Sequence, residues 1–387
     1  MLQILQLVAR NTVRNRVRTL LTILGIAVGV IAFGFLQTVL TAYYVGAEAS
    51  SPNRLVTRHR VSLFNFLPLA QREKILQVPG VTQVSYGIWF GGYYKDPKQF
   101  FGQIAVDNGY MELYPEFMLS PEEKAAYNGE QQAAVVGRKL ADRFGWKVGD
   151  RITITGTIFA GDWDFIIRGI YHGRDRTTDE TNMFFHWKLL DERLQQFRGA
   201  SQVGWWLVGI NSPDDGGRVS QAIDDLYLNS SSPTLTETEK EFNLSFVSMM
   251  GSIITIIKVA SWIVIGIILL IMANTMAMAA RERTTEYGVL KTLGFRAVHL
   301  ASLIGGEALF VSFFGAAVGC AITYGLVGVI GKGIEQQMGQ IFPVFELTTV
   351  TLVQSIGLAA AAGLVACLLP MARAINLPIS ESLRRLG

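Results

Sequence analysis

The stretch Arg281-Glu-Arg-Thr-Thr-Glu-Tyr-Gly-Val-Leu-Lys-Thr-Leu-Gly-Phe-Arg296 decides the organisation of this chain. It is charged and compatible with a helix, and it lies between two long apolar segments, residues 252–280 and 298–331. Because charged side chains are costly in hydrocarbon, such a stretch is expected to lie in water at one side of a membrane. The sequence therefore predicts a short exposed segment between two membrane-spanning helices.

Apolar segments of this kind recur along the chain. Four are nearly free of charged residues and at least 20 residues long, which is enough to cross about 30 Å of hydrocarbon at 1.5 Å per residue. They comprise residues 20–44, 252–280, 298–331 and 347–371. The predicted fold class is a membrane α-helical protein with four transmembrane helices. A large α+β domain is inserted between the first and second of them.

The inserted domain has a composition that excludes several functions. From Tyr43 to Val247 the chain holds 21 basic and 25 acidic residues, a net charge of −4, which argues against nucleic-acid binding. Cys320 and Cys367 both lie in apolar segments, so the domain has neither a disulfide nor a thiolate metal site. The acidic residues between positions 162 and 180 are interpreted as solvated loops. We predict no catalytic residue, no bound cofactor and no metal.

Basic residues near the N-terminus predict the orientation in the membrane. Four of them have no acidic neighbour in the sequence: Arg10, Arg14, Arg16 and Arg18. By the positive-inside rule the N-terminus is cytoplasmic, which places residues 45–246 outside, 281–296 inside and the C-terminus inside. Residues 1–18 are predicted to form an amphipathic helix along the membrane surface. A plain basic flank to the first span is the alternative.

Within the spans, two glycine pairs and one acidic residue are notable. Gly25 and Gly29 in the first span, and Gly315 and Gly319 in the third, match the GxxxG pattern that lets helices approach closely. Glu307 is an intramembrane acid, which is expected to face the bundle and to have a partner. It belongs either to a polar hinge or pathway, or to a structural hydrogen bond with a neighbouring helix.

The second span is predicted to extend beyond the membrane. The capping-box pattern Thr236-Glu-Thr-Glu239 would start a helix, and no proline follows until Pro343. A helix running unbroken over residues 237–283 would be on the order of 70 Å long. It would project as a stalk that supports the outer domain.

Several separate stretches resemble the MacB/FtsX/LolC–LolE class of ABC transporter permeases, the type VII or mechanotransmission class. Residues 281–294 are similar to its coupling segment, R-x-R-x-x-E-x-[GA]-x-L-[RK]-x-[LI]-G. Residues 136–150 are similar to its "G-x-x-L-A…G-D" segment. Residues 15–29 resemble the start of its first span, and residues 370–383 its closing "P-A-x-x-A…P…E-x-L-R". Together with the order of spans, these matches extend over the whole chain.

Two departures from the class matter. No G-x-x-x-x-G-K-[ST] motif is present, so we expect ATP and Mg²⁺ to be bound by a separate ATPase subunit, with no cofactor on this chain. The long hook that recruits a lipoprotein chaperone in part of the class is also not evident, which argues against lipoprotein release.

The resemblance implies a domain order and a set of contact residues. The predicted order is a cytoplasmic amphipathic helix (1–18), a first span (19–44), a periplasmic MacB-like core domain (45–246), a stalk with the second span (247–280), a cytoplasmic coupling helix (281–297), a third span (298–331), a short periplasmic loop (332–346), a fourth span (347–371) and a cytoplasmic tail (372–387). The residues expected to contact the ATPase are Arg281, Arg283, Glu286, Tyr287, Leu290, Lys291 and Leu293. Tyr287, Leu290 and Lys291 would share one exposed face of this helix.

The expected function is that of a non-catalytic permease subunit in a bacterial inner membrane. The implied partners are two ATPase copies, a second permease copy in a homodimer, a periplasmic membrane-fusion adaptor and membrane lipids, with no nucleic acid. Closure of the ATPases would drive export or extraction of a lipid or hydrophobic molecule. The alternatives are an FtsX-type signalling permease that activates a cell-wall hydrolase, and a membrane-anchored enzyme, which the lack of a catalytic constellation disfavours.

Overall fold

The computed structural model describes residues 14–48, 50–99, 101–198, 201–249, 251–339 and 342–376. The chain divides into two compact units. A helical unit takes in residues up to Thr41, Gly251–Gly331 and the chain from Glu346 onward. An α/β unit consists of Ala42–Met250 together with Lys332–Phe345. Most of the N-terminal helix predicted over residues 1–18 lies outside the described residues, as does the tail beyond residue 376.

Twelve α-helices are found in the described part of the chain. They are α1 (Arg16–Glu48), α2 (Gln71–Leu76), α3 (Tyr110–Leu113), α4 (Pro121–Gly129), α5 (Arg138–Phe144), α6 (Trp187–Arg198), α7 (Gly216–Tyr227), α8 (Glu239–Met249), α9 (Gly251–Glu282), α10 (Thr284–Thr292), α11 (Ala297–Met338) and α12 (Thr349–Asn376). Four of these helices, α1, α9, α11 and α12, are long and apolar enough to cross a membrane.

The strands all belong to the α/β unit. They are β1 (Arg54–His59), β2 (Leu67–Pro68), β3 (Val81–Trp89), β4 (Gly92–Tyr93), β5 (Gly102–Val106), β6 (Phe117–Met118), β7 (Ala133–Gly137), β8 (Arg151–Gly156), β9 (Gly161–Gly173), β10 (Asn182–His186), β11 (Gln202–Val203), β12 (Trp205–Ile210) and β13 (Thr234–Thr238). In the described residues, ten strands follow the order β13-β1-β12-β3-β5-β10-β7-β9-β8-β4, and β6 pairs with β9. The β5–β10 and β7–β9 pairs are parallel, so the sheet is mixed.

Both faces of this sheet are buried. Successive residues of a strand point to opposite faces, and Phe184 and Phe185 of β10 accordingly enter two different apolar clusters. This explains why β7 and β12 are continuous apolar runs, as expected for strands covered on both sides. Phe90 and Trp206 are fully buried in one of these clusters, so they belong to the core of the unit and form no apolar outer surface.

Two helix boundaries differ from the sequence-based expectation. The fourth span was expected to end at residue 371, yet α12 continues through Pro370 to Asn376. A proline removes one helical hydrogen bond, and packing can hold the helix across that gap. The third span was expected to end at residue 331, yet α11 continues to Met338, so much of the predicted short loop is helical.

The capping box before the second span lies two residues later than predicted. Thr236 belongs to β13, where its hydroxyl is 2.9 Å from that of Thr57 in β1. The reciprocal cap is formed by Thr238 and Glu241: the Glu241 amide donates to the Thr238 hydroxyl, and the Glu241 carboxylate accepts from the Thr238 amide. The long helix predicted over residues 237–283 corresponds to α8 and α9, and residue 250 between them lies outside the described residues.

Candidate functional site

The charged stretch 281–296 forms α10 and the turn that follows it, at the end of the helical unit where α9 ends and α11 begins. We call this the α10 end. The helix ends at Thr292 with Leu293 as its C-cap, and Gly294 adopts a positive φ of 88°, the left-handed conformation that glycine accepts after a helix C-terminus. The Phe295 amide then donates to the Leu290 carbonyl at 3.1 Å, which folds the chain back on α10. The short helix is therefore closed by a defined turn.

A buried ion pair joins the start of α10 to α11. Arg283 precedes the first residue of the helix, and its Nη1 lies 2.7 Å from Oε2 of Glu307. Their side chains are only 6% and 10% exposed. Glu307 thus has a partner on a neighbouring segment, as expected of an acid within an apolar helix. A structural hydrogen bond was one of the two roles that the sequence left open for Glu307, and this contact has that form, while the polar hinge or pathway stays a prediction.

The inner face of α10 packs against the helical unit. Tyr287 is 5% exposed and contributes to the same apolar cluster as Leu300 and Ile304, and Leu290 packs against that cluster. Burial raises the pKa of Tyr287 to about 12, so its hydroxyl is neutral at physiological pH. Lys291 Nζ donates to the carbonyl of Ile375 at 2.8 Å, near the end of α12.

These contacts correct the sequence-based prediction for this helix. The face holding Tyr287, Leu290 and Lys291 was expected to be exposed to a partner, whereas it points into the unit. Arg283, also expected at the partner contact, is buried against Glu307. The sequence misled because α10 carries apolar residues on both faces, so its periodicity does not say which face is inside.

The outer face of α10 and the turn after it present an apolar surface. We call it the apolar patch, and it consists of Val289, Leu293, Phe295 and Val298. Leu293 and Val298 are 70% and 71% exposed. Val289 and Leu293 lie four residues apart and therefore share one helical face. Exposed apolar side chains grouped in this way mark a contact surface.

Basic residues at the start of α1 approach this end of the unit. Arg14 Nη1 is 2.7 Å from Oε1 of Glu286, and Arg18 Nη1 is 2.8 Å from Oε2 of Glu282. These arginines have no acidic neighbour in the sequence, and their acidic partners come from α9 and α10. Both pairs are substantially exposed, so they contribute little to stability and mainly orient the side chains.

Close helix contacts are made at all four glycines of the two GxxxG patterns. A Cβ atom on Gly29 would lie 2.4 Å from Ile268 of α9, and one on Gly25 would lie 3.3 Å from Ile271. In α11, a Cβ atom on Gly315 would lie 2.7 Å from Ile26 of α1, and one on Gly319 would lie 2.7 Å from Val30. The helix α1 is therefore packed between α9 and α11, with glycine at each contact.

A second buried charge cluster lies in the α/β unit. Arg54 at the start of β1 donates from Nε to Glu239 at 2.8 Å and from Nη1 to Glu116 at 3.1 Å, and it lies over the Tyr114 ring at 4.1 Å. Although burial opposes its charge, the two carboxylates raise the pKa of Arg54. The cluster joins the chain that follows α1 to the start of α8, the helix that precedes α9. The sequence offered no signal for it, because its members lie far apart in the chain.

The acidic run between positions 162 and 180 consists largely of turn and strand residues with local partners. Asp175 accepts hydrogen bonds from Thr177 and Thr178, and Asp179 accepts from Thr181. Hydrogen bonds from the Thr177 side chain lower the pKa of Asp175. Within the described residues, no group of three or more His, Cys, Asp or Glu side chains could hold a metal ion.

Two family models match parts of this chain. Residues 19–226 match the family model of the MacB-like periplasmic core domain, and residues 258–379 match that of the FtsX-like permease C-terminal region. An uncharacterized ABC transporter permease of Methanocaldococcus jannaschii is 26% identical over 357 residues, which cover 85% of this chain and 84% of the relative.

Two solved structures were also found to be similar to part of the chain. The periplasmic region of MacB from Actinobacillus actinomycetemcomitans is 12% identical, covering 50% of this chain and 92% of that chain, with a TM-score of 0.36. The extracellular domain of the noncanonic ABC-type transporter YknZ from Gram-positive bacteria is 13% identical, covering 48% of this chain and 100% of that chain, with a TM-score of 0.35.

Proposed function

Because this chain belongs to the MacB/FtsX family of ABC transporter permeases, we propose that it is the membrane subunit through which a separate ATPase drives its α/β domain. ATP and Mg²⁺ would be bound by that ATPase, since the chain carries no G-x-x-x-x-G-K-[ST] motif. The permease itself would be non-catalytic. Closure of two ATPase subunits would move the α10 ends of two permeases.

The apolar patch is the observation that carries this proposal. Leu293 and Val298 are more than two-thirds exposed, although they belong to a segment whose other face is firmly packed. Glu286 lies three residues before Val289, and an apolar surface beside this charged side chain suits a groove with an apolar centre and a polar rim. The ATPase would therefore contact Val289, Leu293 and Phe295, while Tyr287 and Lys291 hold α10 to the permease.

Motion of the docked helix would be passed on through two fixed contacts. The Arg283–Glu307 pair joins α10 to α11, and the Lys291–Ile375 hydrogen bond joins it to α12. A push on the apolar patch would thus act on the bundle as a whole. Chain connectivity then leads from α9 to α8, whose first residue, Glu239, is held by Arg54 in the α/β unit.

We propose the membrane orientation from the charges at the α10 end. Basic residues accumulate there, namely Arg14, Arg16, Arg18, Arg281, Arg296 and Arg373. Under the positive-inside rule, this end and both termini would be cytoplasmic and the α/β unit would lie outside, in the periplasm of a bacterium. Fusion of a reporter enzyme to the C-terminus, active only in the cytoplasm, would test the orientation.

A second copy of the chain would pack along α9. Only 17% of its most apolar stretch is buried, against 33–39% for the corresponding stretch of the other three candidate spans. Exposed apolar residues recur along one side of it at intervals of three and four: Ile256, Val259, Ile263, Ile267 and Leu270. Both native cysteines are buried.

Disulfide trapping tests this arrangement. Ile263→Cys in a cysteine-free background should give a crosslinked dimer, and failure to crosslink at every one of these positions would contradict the arrangement.

The substrate class that we propose is a lipid or another hydrophobic molecule, gathered outside the membrane and expelled with a membrane-fusion adaptor. The extent of the MacB-like core domain match, over residues 19–226, supports export, since a signalling permease of the FtsX type needs no such large outer domain. Mass spectrometry of small molecules that co-purify with the assembled complex would identify the substrate.

The ATPase contact is tested by co-purification. Val289→Asp with Leu293→Asp places two charges in the apolar patch and should abolish recovery of the ATPase with the permease. Leu226→Asp with Leu228→Asp is the matched control, because these leucines are about half exposed in the α/β unit. Retention of the ATPase by the patch variant would refute the docking assignment. The wild-type permease, purified without its partner, should hydrolyse no ATP.

A further inference from the structure

A cavity of about 380 Å³ opens between α9, α10 and α12 at the α10 end. Its volume is within the range of small-molecule binding sites. The lining is of two kinds. Most of it is small or apolar, including Ala277, Gly288 and Ala366, and three cationic residues complete it: Arg281, Lys291 and Arg373. None of the thirteen lining residues is acidic.

Polarity changes along the cavity in one direction. On α9 the lining begins at Ala273 and ends at Arg281, eight residues or about 12 Å further along the helix. On α12 it begins at Ala366 and ends at Ala374, about 12 Å further, with Arg373 in its last turn. On both helices the arginine therefore lies toward the same end of the cavity. The cavity has an apolar part within the bundle and a cationic part at its end.

The two arginines have no acidic partner in the part of the chain that the structure describes. Arg281 and Arg373 make no ion pair there, in contrast to Arg18 and Arg283 nearby. Lys291 is held at the cavity by its hydrogen bond to Ile375. Because α9 and α12 both end here, the negative ends of their dipoles face the same region. An anion would accordingly have to be held by the cationic side chains.

We propose that this cavity binds an anionic glycerophospholipid, with its phosphate at Arg281, Arg373 and Lys291 and its acyl chain along the alanines of α9 and α12. Basic pockets between membrane helices hold lipid headgroups in this way. A lipid at this position contacts Gly288 and Tyr287 of α10 from the inner side. It would fill the space between α10 and α12 and so brace the helix that we propose as the ATPase contact. This proposal rests on the proposed function, because it requires that the helical unit lies in a membrane.

The test is lipid binding to the purified, delipidated full chain in detergent micelles, read by native mass spectrometry. Wild-type protein should retain about one phosphatidylglycerol per chain and no phosphatidylcholine. Arg281→Gln with Arg373→Gln should weaken phosphatidylglycerol binding by about 30-fold, as expected for two lost basic contacts. Arg16→Gln with Arg296→Gln is the matched control, because it removes two exposed charges without touching the lining.

A second variant blocks the cavity while keeping its charges. Ala277→Leu should also reduce phosphatidylglycerol binding at least tenfold, because the added side chain occupies the apolar part. If the cavity variant and the control variant lose phosphatidylglycerol binding equally, the lipid is held by general attraction to surface charge. That result would overturn the proposed site. Equal binding of phosphatidylcholine would do the same. Competition by glycerol 3-phosphate at the lipid's own concentration would overturn the lipid assignment in favour of a free phosphate.

This measurement is independent of the ATPase. If Val289→Asp with Leu293→Asp still recovers the ATPase, the docking assignment fails, yet phosphatidylglycerol binding can stand. If the ATPase contact holds and phosphatidylglycerol does not bind, only the lipid site fails. Each result therefore bears on one of the two proposals.

Discussion

Arg283 Nη1 and Glu307 Oε2 lie 2.7 Å apart, and both side chains are buried. The two residues are separated by 24 positions, and they connect the start of the short helix α10 to the long helix α11. Two buried opposite charges are tolerated only as a pair, because each alone would remain desolvated without compensation. The position of α10 is therefore tied to that of α11.

Breaking this pair from one side should be strongly destabilising. We expect Arg283→Met or Glu307→Met each to lower the free energy of unfolding by about 3–5 kcal/mol, since one charge then stays buried alone. The double variant should lose much less than the sum of the two. Denaturant titration in detergent, followed by circular dichroism, measures all three. Simple additivity would show that the two charges do not interact. Arg14→Met, at an exposed pair, is the control and should change stability little.

The Arg54 cluster makes an equivalent prediction for the α/β unit. Arg54→Met leaves the buried carboxylate of Glu239 without its cation and should cost about 3–5 kcal/mol, whereas Glu116 is more exposed and also lies 3.9 Å from Arg174. The matched control is Arg58→Met on the same strand, whose pair with Glu237 is more exposed. We expect a clearly smaller loss there. Similar losses in the two variants, measured by chemical unfolding, would mean that burial of the cluster does not decide its energetic role.

Glycine at the α1–α11 contact should not tolerate even a methyl group. The Cβ atom of Gly319→Ala would lie 2.7 Å from Val30 and 2.9 Å from the Ala27 carbonyl oxygen. Overpacking of this kind costs about 1–3 kcal/mol. Gly328→Ala on the same helix meets no atom within 4 Å and should be neutral or slightly stabilising. Thermal unfolding of the two variants side by side checks this, and an equal effect would contradict the contact.

His186 should make the stability of the chain depend on pH. Its Nε2 lies 2.7 Å from the Tyr127 carbonyl, and burial lowers the pKa of His186. The unfolded chain then takes up a proton near pH 6.5, before the folded chain does. The contribution of neutral His186 to the free energy of unfolding is therefore fully present above pH 6.5. It is lost as the pH falls toward the lower pKa of His186 in the folded chain. Unfolding of His186→Gln between pH 7.5 and 5 should show a shallower slope, and an unchanged slope would refute the role of His186.

Local patterns in the sequence were sufficient to locate many elements. The alternating and apolar runs of β3 and β12 are the pattern that a strand in a covered sheet needs. Four long apolar segments predicted four membrane-length helices. Other elements were missed, among them β13 and α4, since short strands and polar helices carry a weak periodic signal.

The orientation of α10 could not be obtained in the same way. Tyr287 and Leu290 lie on one face and Val289 and Leu293 on another, so both faces look partly apolar. Arg283 was expected at the ATPase contact because the family resemblance implied it. It is buried because Glu307 is supplied from another helix, which local sequence does not indicate. The capping box was misplaced by two residues for a similar reason, since Thr236 is recruited into β13 by Thr57.

By itself, the sequence determined the number of membrane-length helices, the presence of a charged helix between two of them and the lack of a nucleotide-binding motif. These properties depend on composition and spacing along the chain. The tertiary structure decided which face of α10 is free, how Glu307 is neutralised and which residues line the cationic cavity. Each of these depends on contacts between residues far apart in the sequence, and such contacts form only when the helices pack.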